Sequence, residues 1–182
     1  MAAGRREALL LGAAGIAAAA AGFLLGPALL KSTGGGREGA AASAALRAAS
    51  FADLAGQTRR LSEWRNRVLV CNFWATWCAP CREEIPLLMS ARQKYGPKGF
   101  EIVGIAIDNA NKVREFSSSF NIPYPILLAG DNGLDLMRQL GNNAGGLPYT
   151  VIADKQGELV HRKLGAFKGT ELDAILAQLA KD

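Results

Sequence analysis

With 182 residues, 49% of them apolar, and a weakly patterned N-terminal third, the chain leaves about 140 residues for one globular domain with a substantial core. Its formal net charge of +5 falls to +3 beyond Gly39, where 17 Lys and Arg stand against 14 Asp and Glu without a dense basic cluster, so nothing points to a nucleic-acid partner. Three cysteines and one histidine are too few for a zinc ribbon, which needs a second Cys pair or His partners at ligand spacing.

Arg5 and Arg6 precede a 23-residue run without charge, Ala8 to Leu30, which Lys31 ends. About 20 apolar residues cross a bilayer as a helix. The run is rich in Ala and Gly, and Pro27 interrupts it near its end. Three readings fit residues 1–31. Length favours an uncleaved anchor. A cleavable signal would have an unusually long apolar region, although small residues, Ala42-Ser43-Ala44, do follow. Arg5-Arg6-Glu7-Ala8-Leu9-Leu10 also loosely resembles a twin-arginine signal. A soluble helix is disfavoured because the run has no polar face. Flanking charges, Arg5 and Arg6 against Lys31 and Arg37, are nearly even and set no orientation. Every export reading places the following domain outside the cytoplasm, where a dithiol kept reduced needs an electron supply. Residues 32–49, opening with Ser32-Thr33-Gly34-Gly35-Gly36, predict a flexible linker, and residues 50–182 a folded domain.

Along that domain, Phe51 to Leu61 suits a hairpin around Gly56, and Ser62 a capped turn through Trp64. Val68 to Phe73 reads as a buried strand by its β-branched and aromatic content. Ala79 to Lys94 reads as a helix that Pro86 should kink. Glu101 to Ile107 is the next strand. Lys112 to Phe120 has helical spacing, with Val113, Phe116 and Phe120 on one face. Pro125 to Ala129 is a short strand and Asp131 to Leu140 a helix with Leu134, Leu136, Met137 and Leu140 inward. Tyr149 to Ala153, a turn at Asp154-Lys155-Gln156-Gly157, and Glu158 to Leu164 form a hairpin. Thr170 to Ala180 closes the chain as a helix facing the sheet through Leu172, Ile175, Leu176 and Leu179. The alternation predicts an α/β sheet covered on both faces, parallel where helices cross over and antiparallel at the hairpin.

The stretch Trp77-Cys78-Ala79-Pro80-Cys81 falls between the Val68 strand and the Ala79 helix. Two thiols two residues apart can close a disulfide ring. A thiol at a helix start meets free backbone N–H groups and the positive dipole end, which lower its pKa from about 8.5 toward roughly 7 or below. Pro80 suits a first helical turn, where its missing N–H costs nothing. This arrangement predicts a redox dithiol. Cys71, inside the apolar run, reads as a buried small hydrophobe.

Residues 72–86, Asn72-Phe73-Trp74-Ala75-Thr76-Trp77-Cys78-Ala79-Pro80-Cys81-Arg82-Glu83-Glu84-Ile85-Pro86, resemble the thioredoxin superfamily, and more narrowly its membrane-tethered TlpA/ResA branch. The resemblance covers roughly residues 50–180 and implies a thioredoxin-like fold. Residues 121–146 then look like the strand and helix this branch inserts. It also implies a cis-proline opposite the dithiol, matched by Leu147-Pro148-Tyr149-Thr150, where a substrate strand docks. Soluble thioredoxins carry a buried aspartate where this chain has Asn72. The resemblance assigns the titrating carboxylate instead to Glu84, one helical turn after Cys81 and able to exchange a proton with it. Glu83 reads as a solvated first-turn acid.

The implied activity is extracytoplasmic thiol–disulfide exchange. Cys78 attacks a partner's disulfide, Cys81 resolves with help from Glu84, and a membrane-embedded donor reduces the Cys78–Cys81 disulfide again. Trp77, Leu147 and Pro148 would form the docking rim, with Trp74 and Trp77 shielding the site. Uncharged Ala79 and Pro80 favour a reductase over an oxidase. Implied partners are protein disulfides, including those of cytochrome c maturation or copper-site assembly, at a bacterial inner membrane facing the periplasm. No cofactor and no metal is expected. Two rivals are weaker. A peroxiredoxin needs a Pro and Thr cradle three residues before its cysteine, and Thr76 is only two away. A copper carrier needs a distal ligand, and His161 on the terminal hairpin reads as an edge residue.

Overall fold

In a computed structural model of the chain, residues 36–181 are described. The segment 1–31, expected to be an anchor or signal, lies outside the described residues; among those described, no helix is long and apolar enough to cross a membrane. The compact unit spans Ala40–Asp182. Helix α1 is described over residues 36–48. Then follow β1 (Ser50–Asp53), β2 (Thr58–Arg60), β3 (Val68–Trp74), α2 (Ala79–Tyr95), β4 (Phe100–Ala106), α3 (Ala110–Ser119), β5 (Ile126–Leu128), α4 (Gly130–Gln139), β6 (Tyr149–Ala153), β7 (Leu159–Leu164) and α5 (Glu171–Leu179).

The seven strands form one sheet in the order β2-β1-β5-β4-β3-β6-β7. β3, β4 and β5 run parallel, joined by α2 and α3, and the remaining pairings are antiparallel. All seven residues of β3 are buried, as a strand covered on both faces requires. Their alternation divides the core. Val68, Val70 and Trp74 pack with α2 and α5 through Ile85, Leu88, Leu172 and Leu176. Leu69, Cys71 and Phe73 pack on the other face with Leu46 of α1 and Leu136 and Met137 of α4. Cys71 is fully buried there, and burial pushes its thiol pKa far up. β5 and α4 fall within residues 121–146, where the inserted strand and helix were expected, and β5 pairs with both β4 and β1.

The structure differs from the sequence reading at three places. Residues 36–48 are helical rather than a flexible linker, and Ala42, Ser43 and Leu46 are buried against the sheet. The short turn before β3 is a 3-10 helix, Leu61–Trp64, that begins before Ser62. Glu63, not Ser62, ties its start, accepting from the Arg60 N–H at 2.7 Å. Finally, α3 ends at Ser119 rather than Phe120; Phe120 still shares a face with Phe116, on which it stacks, but is 40% exposed. Helix α2 continues unbroken through Pro86.

Candidate active site

β3 delivers the chain to the site. Its last carbonyl, on Trp74, accepts from the Ile107 N–H at 2.9 Å, so the end of β3 is pinned to the end of β4. The loop that follows is pinned as well. The Thr76 N–H donates to Asp108 Oδ2 at 3.0 Å, and the Thr76 hydroxyl donates to the same oxygen. Asp108 also accepts from the Asn109 N–H through Oδ1 at 2.6 Å. Partial burial alone would raise the Asp108 pKa, but the hydrogen bonds from Thr76 and Asn109 outweigh it and hold the carboxyl below its ordinary value. No local motif marks Asp108 for this role, because its partner Thr76 lies 32 residues away.

Cys78 then takes the N-cap position of α2 with extended backbone angles (φ −85°, ψ 103°), and Pro80 sits in the first turn. The Cys81 N–H donates to Cys78 Sγ at 3.3 Å, one of the free donors of the helix start. The two cysteines are joined as a disulfide with their Cα atoms 5.3 Å apart. Cys78 retains 5% exposure and Cys81 1%, which makes Cys78 the sulfur nearer to solvent. The positive end of the α2 dipole points at Cys78, the environment that favours a thiolate once the disulfide is opened.

Glu84 follows Cys81 by one helical turn and is only 2% exposed. Its carboxyl is held on both sides. Oε1 accepts from the Phe167 N–H at 2.8 Å, and Oε2 accepts from Asn72 Nδ2 at 3.1 Å. The same Asn72 amide nitrogen donates to Thr150 Oγ1 at 2.9 Å; Asn72 and Thr150 face each other across the β3–β6 pair. Burial raises the Glu84 pKa, and the hydrogen bonds from Phe167 and Asn72 offset this only in part. The Glu84 charge in turn joins burial in raising the pKa of the buried Tyr124 hydroxyl.

A pH signature follows from the Glu84 shift. Because the folded state holds this proton more tightly than the unfolded chain, the associated stability is fully present below the ordinary value of 4.5 and is lost as pH rises through the folded pKa. Glu84→Gln removes the titration and leaves only a constant offset from the one acceptor it replaces. The stability of Glu84→Gln relative to the parent is therefore expected to increase as pH rises from about 4.5 through the raised folded pKa, then level off. Urea midpoints across that range measure it.

The Leu147–Pro148 peptide bond is cis. Pro148 is buried, and Leu147 is half-buried against the cluster that also holds both cysteines. The register Phe73↔Tyr149 sets Pro148 at the start of β6, alongside the end of β3 from which the dithiol loop leaves. The two tryptophans separate: Trp74 is 1% exposed and packs on Phe116, whereas Trp77 is 68% exposed. Gly104 on β4 makes the Trp74 position possible, since a Cβ there would stand 3.0 Å from the indole Nε1. Glu83 is exposed. His161 lies half-buried on the edge strand β7, its ring stacked on Phe167.

The sequence and fold are similar to those of known proteins. The family model for redoxin matches residues 40–179. The thiol-disulfide oxidoreductase ResA of Bacillus anthracis is 29% identical over 128 residues, covering 70% of this chain and 72% of that protein. ResA of Geobacillus kaustophilus is 34% identical over 110 residues, covering 59% and 60% respectively. Among solved structures, a thiol:disulfide interchange protein of the thioredoxin family from Chlorobium tepidum superposes with a TM-score of 0.63 at 26% identity, covering 74% of this chain and 95% of that one. A thioredoxin-like sheet, a dithiol at the start of α2 and a buried carboxyl one turn further on thus meet in one chain, which belongs to the redoxin family as a ResA-like member of the thioredoxin superfamily.

Proposed function

We propose that this thiol–disulfide oxidoreductase reduces disulfides of partner proteins outside the cytoplasm. The observation that carries the reading is the placement of Cys78 as the N-cap of α2, with Cys81 behind it and Glu84 one turn on. In the reduced protein, the Cys78 thiolate attacks one sulfur of the partner's disulfide. A Cys78–partner S–S bond forms, the partner's S–S bond breaks, and one partner thiolate leaves. Glu84, ionised, accepts the Cys81 thiol proton; its raised proton affinity suits it to that exchange. The Cys81 thiolate then attacks Cys78 Sγ, releasing the second partner thiolate. The partner has gained two electrons, and the protein is left as the Cys78–Cys81 disulfide.

A donor in the membrane returns the two electrons. The apolar run Ala8–Leu30 supports tethering at a bacterial inner membrane with the domain in the periplasm. ResA-like kinship supports partners of the kind that await haem or copper. Uncharged Ala79 and Pro80 support the reductase direction, because strong oxidants owe their potential to stabilisation of the reduced thiolate.

Trapping tests this reading. A Cys81→Ser variant expressed in its own host is expected to accumulate mixed disulfides through Cys78 with exported proteins, resolved by diagonal electrophoresis and mass spectrometry. The Cys78–Cys81 potential is expected near that of thioredoxin, about −270 mV; a value near about −120 mV would reverse the direction. At the rim, Trp77→Ala is expected to raise KM for a protein substrate severalfold and leave turnover of a small disulfide unchanged, because its exposed indole can contact a docked chain but supports no core.

A further inference from the structure

At the opposite end of β3 from the dithiol lies a cleft of about 670 Å³. β3 has seven residues, so at about 3.3 Å per residue the cleft stands roughly 20 Å from the redox loop. A volume of this size is far above the few water-sized voids of a packed core and falls in the range of small-molecule sites, about 300–1,000 Å³. Its floor is apolar: Leu46 of α1, Leu61 and Trp64 of the 3-10 turn, and Leu69 of β3. Its rim is cationic: Arg47, Arg65, Arg67 and Lys155.

These cations divide by what they already hold. Arg47 is tied to Glu158 and to the Gly157 carbonyl, both at 2.9 Å, and Arg67 reaches Glu101 and the Phe100 carbonyl. Arg65 and Lys155 are exposed, and among the described residues neither forms an ion pair. The one carboxylate at the rim, Asp154, already accepts the N–H groups of Gln156 and Glu158 within its own turn. The segments bearing the two free cations are linked, because the Asn66 N–H donates to the Lys155 carbonyl at 3.3 Å. Asn66 holds a left-handed backbone (φ 67°) there.

We infer that this cleft binds an amphipathic anion, with an apolar tail against Leu46, Leu61, Trp64 and Leu69 and an acidic head between Arg65 and Lys155. Apolar floor and unpaired cationic mouth ask for the two halves of one molecule. A purely apolar ligand leaves the cations unused, and a small inorganic anion leaves the floor empty. Such a ligand comes either as a free carboxylate amphiphile or as an anionic lipid of an adjacent bilayer, both sharing the same chemistry.

The test uses the full chain in nanodiscs of neutral phosphatidylcholine and reads the Trp64 indole N–H by NMR, with Trp77 as internal reference. Decanoate is expected to shift the Trp64 signal saturably and leave Trp77 in place, with decanol and acetate each at least tenfold weaker. Arg65→Glu with Lys155→Glu is expected to weaken decanoate at least tenfold while disulfide reduction stays unchanged, since neither residue belongs to the dithiol site. If discs of phosphatidylglycerol alone shift Trp64, the ligand is a bilayer lipid; if only added decanoate does, it is a free amphiphile. Absence of a Trp64 shift in both arms, equal binding of decanol, or full decanoate affinity in the charge-reversed variant overturns the inference.

Discussion

Cys78→Ser is expected to abolish disulfide reduction, lowering the rate on the order of a thousandfold or more, to the background of the added reductant. In the proposed mechanism the attacking group is a thiolate at a helix N-cap, and a serine hydroxyl in the same place stays protonated. Cys81→Ser is expected to fail differently: Cys78 remains available for attack, so the first exchange proceeds in a single burst and stops at the mixed disulfide. The contrast follows from the positions of the two sulfurs, Cys78 at the rim with 5% exposure and Cys81 behind it with 1%. Single-turnover kinetics with a fluorogenic disulfide distinguish the two variants. Equal bursts from both would show that either sulfur can lead.

Trp74→Ala is expected to cost about 4 kcal/mol, within the range for removing a buried aromatic side chain. Against a total of about 5–15 kcal/mol for a domain of this kind, that is a large fraction, equivalent to a Tm lower by roughly 10 °C. The indole fills the space between β4 and α3, packing on Phe116 with ring centroids 5.4 Å apart. Trp74→Phe is expected to be much milder. It keeps an aromatic ring against Phe116 and removes an indole N–H that is buried without a hydrogen-bond partner. Trp77→Ala, three residues on, is expected to change stability by no more than about 0.5 kcal/mol, because its side chain lies largely in solvent. Calorimetry of the three variants separates core from rim.

Much of this architecture is legible in the chain. β6 spans Tyr149–Ala153, as its pattern predicts, because alternation and β-branching act locally and tertiary context agrees with them. Helix α1 is not legible. Its residues are mostly small, and only Ala42, Ser43 and Leu46 need to face the core, too thin a stripe to stand out from a flexible Ala-rich segment. At the site, the dithiol and its Pro80 follow from short-range spacing, and the carboxyl at Glu84 from the family resemblance of residues 72–86. Their partners do not. Phe167 reaches Glu84 across 83 residues and Thr150 reaches Asn72 across 78, so only the closed sheet brings them together. The cleft at the far pole is assembled from α1, the 3-10 turn and the β6–β7 turn, none of which announces the others in sequence.

The two-sided grip on Glu84 has a kinetic consequence. Phe167 and Asn72 each donate to a different oxygen, so the carboxyl group cannot rotate without breaking a hydrogen bond in a dry interior. Gaining or losing a proton there changes charge but not orientation. In the proposed exchange, the dithiol can then cycle without the carboxyl group and its two donors rearranging each time.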